Sequence, residues 1–316
     1  MLQKQEYDGF AFWVEEYLFY PKTIQKVLSF LLLPFTLIYC IVVVSKRAFT
    51  KSKNFDIPIV SIGNLTVGGN GKTPFLISLA KKRDNTAVIL RGYKRESKDL
   101  LVVSKNSQIY CDVSQSGDEA MLYAKELPNA LVIVSKDRAK AIEYAKKEGI
   151  KAIFLDDAFH RHEIKKFDIL LEPKSEYKNS FCIPSGPYRE PKSFTKYADI
   201  VAKEDRDFKR VVTLQNKTDK MLLISAISKP QRLEPYLPKD GSVIAKIYFQ
   251  DHHSYTKDEI EELIKRYGPT SILTTQKDAV KLENLSLELS ILKLEIKIND
   301  KIVNKVDDFI DNFGKF

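Results

Sequence analysis

From residue 54 onward, short unbroken apolar runs alternate with stretches whose apolar positions recur every three or four residues. The runs Ile57 to Ile62, Thr86 to Leu90, Ala130 to Val134 and Ala152 to Leu155 are rich in Val, Ile and Leu and stop at Gly63, Arg91, Ser135 and Asp156. Runs this short and apolar throughout predict strands buried on both faces. Between them, Lys72 to Leu79, Ala120 to Leu127 and Arg138 to Glu148 carry helical periodicity. Strands and helices taking turns predict an α/β fold with a mostly parallel sheet flanked by helices. Leu101 to Val103 and Gln108 to Val113 read as a hairpin, and the runs starting at Asp168 and Ala198 as further strands.

The pattern lapses over residues 203–220, a charged stretch that reads as containing the connection between two units. It resumes with strands at Met221 to Ser228, Ser242 to Phe249 and Ser271 to Thr275, and with helices at Lys257 to Tyr267 and from Lys277. An alternating strand over Leu292 to Ile298 and an amphipathic helix, Ile302 to Phe313, end the chain. The expected organisation is therefore a main domain over 54–205 and a smaller C-terminal α/β lobe over 206–316. Residues 1–53 differ. Val27 to Val44 is an apolar helix of eighteen positions without a charge, followed by Lys46, Arg47, Lys51 and Lys53. A spanning helix takes about 20 residues, so crossing a bilayer, lying in its interface with a kink at Pro34, and packing as a core helix all fit. The basic flank places the following body on the cytoplasmic side of a membrane. The apolar stretch starts late and lacks a small-residue cleavage site, unlike a secretory signal.

The first strand leads into the most informative chemistry. Ile57 to Ile62 breaks into a loop with Gly63, Gly68, Gly69, Asn70 and Gly71, and Lys72-Thr73-Pro74 open the next helix. Strand, glycine loop, Lys-Thr and helix in that order make a phosphate-binding loop. Inward backbone N–H groups and a helix N-terminus attract phosphate, Lys72 reaches the β- and γ-phosphates, and the Thr73 hydroxyl suits Mg²⁺. The first glycine of the usual G-x-x-x-x-G-K-[ST] spacing is replaced by Thr66. Further along, Asp156-Asp157 at the tip of an apolar strand fit the carboxylate that faces such a loop across a metal ion. A basic turn, Arg91 to Arg95, also ends a strand, and the Pro/Gly-rich loop 182–191 offers Arg189 to a phosphate.

The chain has 316 residues and a formal net charge of +9, with pI about 9.1. That excess suits an anionic membrane surface or a phosphorylated substrate. Nucleic acid is not expected, because no run interleaves aromatics with arginines. Cys40, Cys111 and Cys182 have neither metal spacing nor an even disulfide framework, which points to a reducing compartment. The four histidines fall in two pairs, His160/His162 and His252/His253.

Taken together, VSIGNLTVGGNGKTP (60–74), LRGYKR (90–95), GDEA (117–120), SKDR (135–138), LDDAFHRH (155–162), PSGPYREP (184–191), ISKPQR (227–232), FQDHHSY (249–255) and LTTQKDAVK (273–281) resemble the tetraacyldisaccharide 4′-kinases of lipid A biosynthesis. The resemblance spans nearly the whole chain, and the family itself lacks the first loop glycine. It implies ATP- and Mg²⁺-dependent phosphorylation of the 4′-hydroxyl of an acylated glucosamine disaccharide 1-phosphate, at the cytoplasmic face of the inner membrane and without an obligate protein partner. By motif position it implies Asp118 as the base toward the hydroxyl, His252 as its partner, and Lys72 as the catalytic lysine. Thr73, Glu119 and Asp157 take the metal site, with Asp156 a neighbour. Gly68, Gly69, Asn70, Gly71, Lys72, Thr73, Pro74, Tyr93 and Arg189 line the nucleotide site. Read without the resemblance, Asp118 also suits a helix cap, and either His252 or His253 could be a surface residue. Two departures stand out: Ala158-Phe159-His160-Arg161-His162 where the family reads Gly-Phe-Gln-His-Arg, and Pro187 in place of an asparagine. Side-chain roles at those positions do not transfer. Two other classes fit a P-loop: a GTPase, although Gln276-Lys277-Asp278 lacks the Asn-Lys-x-Asp spacing, and a membrane-tethered nucleotide switch.

Overall fold

The structure, a computed structural model, describes residues 4–5, 9–69, 71–93, 95–282 and 288–315. Asn70 and Lys94 lie outside the described residues. In chain order the elements are β1 (Lys4–Gln5), α1 (Gly9–Phe19), α2 (Thr23–Leu31), α3 (Leu33–Phe49), β2 (Ile59–Gly63), α4 (Lys72–Ala80), β3 (Thr86–Leu90), β4 (Leu101–Lys105), β5 (Gln108–Ile109), α5 (Val113–Ser116), α6 (Asp118–Glu126), β6 (Leu131–Val134), α7 (Arg138–Lys147), β7 (Ala152–Asp156), β8 (Phe167–Glu172) and β9 (Ile200–Lys203). There follow β10 (Phe208–Gln215), β11 (Met221–Ser225), β12 (Val243–Tyr248), α8 (Lys257–Tyr267), β13 (Ser271–Thr275), α9 (Gln276–Leu282), β14 (Leu289–Ile298) and α10 (Asp300–Asp311).

Two sheets organise them. The eight-stranded sheet has the order β5-β4-β6-β3-β7-β2-β8-β9 and is parallel except at β4, which runs against both neighbours. Strand alternation divides its side chains between two cores. Val60, Ile62, Val88 and Leu90 pack under α4 and α6, while Ile59, Ala87, Ile89, Leu131 and Ile133 pack under α7. Full burial of a side chain such as Phe75 contributes about 1.5–3 kcal/mol, so these two layers hold the central strand β2 rigidly between β7 and β8. The six-stranded sheet, β1-β12-β11-β13-β14-β10, is parallel except for β10 against β14. Phe208, Ile296, Ile302, Val303 and Val306 join the core under α4, so the second unit is packed onto the first.

Two expectations are corrected. The helix over 27–44 is two helices, α2 and α3, bent by 57°. Pro34 sits in the first turn of α3, where its missing N–H costs nothing but continuation from α2 is blocked. Neither helix alone is long and apolar enough to cross a membrane; the bent pair passes that test together. Residues 203–220 are not merely a connection: β10 takes eight of the eighteen, and its alternating charges belong to an edge strand that presents one side to water. Residues 1–53 join both sheets: β1 extends the six-stranded sheet, and α3 packs Tyr39, Cys40 and Val43 against Leu65, Phe159 and Cys182.

Candidate active site

The phosphate loop begins where β2 ends. A Cβ at Gly63 would lie 2.6 Å from the Phe159 Cβ, so only glycine lets β2 run this close to the segment after β7. Asn64 is buried and ties the loop internally, donating from Nδ2 to the Thr66 carbonyl at 3.0 Å. Gly71 has φ +81°, a left-handed conformation natural to glycine, and turns the chain into α4. Lys72 and Thr73 thus open the helix, with Pro74 where an N–H is not needed. Lys72 Nζ donates to Asn64 Oδ1 at 2.9 Å and lies 3.5 Å from Asp157. The lysine is already held over the mouth of the loop.

Next to this loop, the tip of β7 presents Asp156 and Asp157. Asp156 pairs in register with Ile62 of β2. Arg189 forks onto Asp157, Nη1 to Oδ2 and Nη2 to Oδ1, both at 2.9 Å, and reaches Asn64 Oδ1 at 2.7 Å. Burial disfavours charge on Asp157, but Lys72 and Arg189 outweigh it and hold the carboxyl well below the usual range. Asp156 is the opposite case. Burial, then the charge of Glu119, push it up to about 7, and its Oδ1 is buried without a hydrogen-bond partner. Burial and the adjacent Asp118 also raise Glu119. Glu119 and Asp156 thus feel each other's charge inside the fold, but among the described residues no group of three or more His, Cys, Asp or Glu side chains is arranged to hold a metal ion. Arg138 supports the strand tip, donating to the Ser135 and Asp156 carbonyls at 2.7 and 3.2 Å; burial lowers it to about 10.

A second constellation crosses between the lobes. Asp118 is the first residue of α6, after Gly117 at φ +88°, and its Oδ1 accepts the Glu119 N–H at 2.9 Å. From the turn after β12, His252 brings Nδ1 to 2.8 Å from Asp118 Oδ2. The His252 backbone has φ +64° and is held by its N–H to the Ala226 carbonyl at 3.2 Å. Lys277, at the start of α9, lies 3.6 Å from Asp118 and 3.3 Å from Asp251. Burial opposes ionisation of Asp118, yet His252 and Lys277 bring it down to about 2. Tyr93 tilts over His252 with ring centroids 5.3 Å apart. His253 points elsewhere: it bonds Glu259 at 2.8 Å and stacks on Phe249.

The structure therefore gathers Lys72, Thr73, Glu119, Asp157 and Arg189 at the loop, and Asp118, His252 and Tyr93 beside it. Sequence reasoning gave no role to Asn64, Arg138 or Lys277. Each lies just beyond the C-terminal end of a parallel strand, the edge where α/β sheets place ligand groups, and that position was the available signal. The other histidine pair divides: His160 feels the charges of Asp157 and Arg189, and His162 ties α3 to the loop 182–191. His162 bonds Glu190 at 3.1 Å and Arg47 of α3 at 3.1 Å, while burial pushes His160 down to about 4.

A family model described as tetraacyldisaccharide-1-P 4′-kinase, LpxK, matches residues 28–311. A tetraacyldisaccharide 4′-kinase of Aliarcobacter butzleri is 52% identical over 95% of this chain and 98% of its own length. Those of Helicobacter acinonychis and Campylobacter jejuni serotype O:2 are 43% and 41% identical, covering 95% and 98% of this chain and 95% and 99% of their own. Among solved structures, LpxK from Aquifex aeolicus in complex with ATP is similar at TM-score 0.75 and 27% identity, over 90% of this chain and 99% of that one.

Proposed function

The chain belongs to the tetraacyldisaccharide-1-P 4′-kinase family, and we infer that it transfers the γ-phosphate of ATP to the 4′-hydroxyl of a tetraacyldisaccharide 1-phosphate, the lipid A precursor. The observation that carries this reading is the 2.8 Å pair of Asp118 and His252, one residue from each lobe, set beside a phosphate loop. The family matches support the kinase over a hydrolytic switch.

In this reading Gly68, Gly69 and Gly71 turn backbone N–H groups onto the phosphates, and Lys72 leaves Asn64 for the β- and γ-phosphate oxygens. Arg189 keeps Asp157 ionised and fixed beside Lys72. Thr73, Glu119 and the Asp156–Asp157 pair would hold Mg²⁺, which when bound neutralises charge on the phosphates. Asp118, ionised at neutral pH, accepts the 4′-hydroxyl proton as the oxygen bonds to the γ-phosphorus and the bond to ADP breaks. His252 orients that carboxylate through Nδ1, and Lys277 keeps it charged.

The lipid acceptor also gives a role to the exposed apolar side of the N-terminal helices. Phe35, Leu37, Ile38, Ile41 and Val42 of α3 and Ile24, Phe30 and Leu31 of α2 face outward, while Lys46, Lys51 and Lys53 follow. Such a face rests in the headgroup boundary of a bilayer, on the cytoplasmic side of the inner membrane. The same α3 reaches the site through the Tyr39 hydroxyl, which donates to the Arg189 carbonyl at 2.8 Å. The test is incubation of the detergent-solubilised protein with ATP, Mg²⁺ and tetraacyldisaccharide 1-phosphate, read by mass spectrometry of the lipid. A bisphosphorylated product that vanishes on chelation of Mg²⁺ supports the reading; ATP consumption with unchanged lipid refutes it.

A further inference from the structure

Two guanidinium groups from the C-terminal lobe meet the phosphate loop from outside. Arg232, in the 3-10 turn Pro230–Tyr236, donates from Nη1 to the Gly69 carbonyl at 3.0 Å. Arg210, on β10, brings Nη2 to 3.0 Å from the position a Cβ on Gly71 would occupy, while its Nε pairs with Glu204 at 2.9 Å. The backbone angle of Gly71, φ +81°, favours glycine, and the tip of Arg210 packs closely against it. The two arginines are close enough that Arg210, after burial, lowers the proton affinity of Arg232. Like charges gathered at one loop repel; Glu204 pairs with Arg210, while Tyr177, Glu15 and Glu204 offset only part of the penalty on Arg232, whose proton affinity stays lowered. A loop built to bind phosphate supplies the remaining counter-charge when a nucleotide occupies it.

We propose that Arg210 and Arg232 form a clamp, supplied by the C-terminal lobe, that contacts the polyphosphate tail of ATP bound in the loop. The inference rests on the ATP-kinase reading above. Planar guanidinium forks match phosphate oxygens in pairs, and arginines that approach a transferring phosphate from a second structural unit stabilise the charge that develops there. Arg232 is held within reach by the Gly69 carbonyl, a neutral acceptor that an anionic phosphate oxygen outcompetes. The two residues come from ISKPQR (227–232) and from the charged stretch 203–220, neither of which the catalytic account uses.

The test is displacement of a fluorescent N-methylanthraniloyl-ATP from the full-length protein in detergent by ATP, ADP and AMP. Wild type is compared with Arg210→Ala, Arg232→Ala, Arg232→Lys and Lys209→Ala, the last removing one charge from the other side of β10. The clamp predicts that each arginine-to-alanine change weakens ATP and ADP by about tenfold to a hundredfold and leaves AMP unchanged. Arg232→Lys falls between wild type and Arg232→Ala, and Lys209→Ala matches wild type. Equal weakening of ATP, ADP and AMP would mean that the arginines only brace the loop, and would overturn the clamp, as would unchanged ATP affinity. Should Arg232→Ala fail to fold, Arg232→Lys with wild-type ATP-to-AMP discrimination overturns it equally well. Failure of the wild-type protein itself to bind ATP would remove the kinase reading and the clamp with it.

Discussion

Asp278→Ala should damage stability and catalysis together, although Asp278 touches no reacting group. Asp278 is fully buried at the start of α9. Its Oδ2 accepts from Ser225 Oγ and the Ala226 N–H at 3.1 Å and from Thr275 Oγ1 at 3.0 Å, and its Oδ1 pairs with Lys281 at 2.7 Å. Lys281, itself buried, also donates to the His253 carbonyl at 3.0 Å. Removing the carboxylate leaves a buried ammonium with one neutral acceptor and orphans the Ala226 N–H. Breaking a buried ion pair from one side costs about 3–5 kcal/mol, which is the loss expected in urea denaturation followed by far-UV circular dichroism. The catalytic consequence runs through the loop 249–255. Ala226 accepts the His252 N–H and Lys281 holds the next carbonyl, so His252 loses two supports at once. Lipid phosphorylation should fall at least tenfold, a barrier change of about 1.4 kcal/mol. Asp278→Ala combined with Lys281→Met should be less destabilised than Asp278→Ala alone, since no charge is then stranded. Strict additivity of the two changes, or a loss below about 1 kcal/mol, would refute the reasoning.

Other consequences are direct. Lys72→Ala should weaken ATP binding in the same displacement assay and leave the fold intact, because Arg189 still neutralises Asp157. Asp156, raised to about 7 from an ordinary 3.8, makes the native state hold its proton after the unfolded chain has lost it; stability without nucleotide or divalent cation should therefore fall as pH rises between those values. Asp156→Asn should flatten that slope in thermal unfolding from pH 5 to 8, and an unchanged slope would sink the assignment. Ile38→Glu, on the exposed side of α3, should reduce co-sedimentation with anionic phospholipid vesicles without altering turnover of a detergent-dispersed lipid.

The parallel-sheet half of the fold was legible because each strand is a compact apolar run stopped by a polar residue, and α8 and β13 were readable to the residue. What escaped was set by partners distant in sequence. β10 carries Lys209, Arg210 and Thr213 among its apolar residues, a composition that reads as a linker until β14 is seen beside it. The break at Leu32 follows from Pro34, but the 57° bend is fixed by α3 packing against Leu65 and Phe194. At the site, the order of strand, glycine loop, Lys-Thr and helix pointed to the phosphate loop although Thr66 breaks the usual spacing, and that loop gave the acidic strand tip its reading. The choice of His252 over His253 depends on a turn at φ +64° that aims one ring at Asp118 and the next at Glu259. Asn64 and Lys277 went unassigned because their partners, Lys72 and Asp118, come from other elements, one of them in the other lobe.

The measurement that bears most directly on a base and its partner shared between two lobes is single-turnover transfer from γ-labelled ATP to the disaccharide lipid, followed by rapid quench. Wild type is compared with Asp118→Ala, His252→Ala and His253→Ala at saturating ATP. The account predicts that Asp118→Ala and His252→Ala slow the transfer step by about a hundredfold or more with nucleotide affinity preserved, and that His253→Ala stays near wild type. Wild-type transfer in Asp118→Ala, or a larger loss from His253→Ala than from His252→Ala, would contradict it.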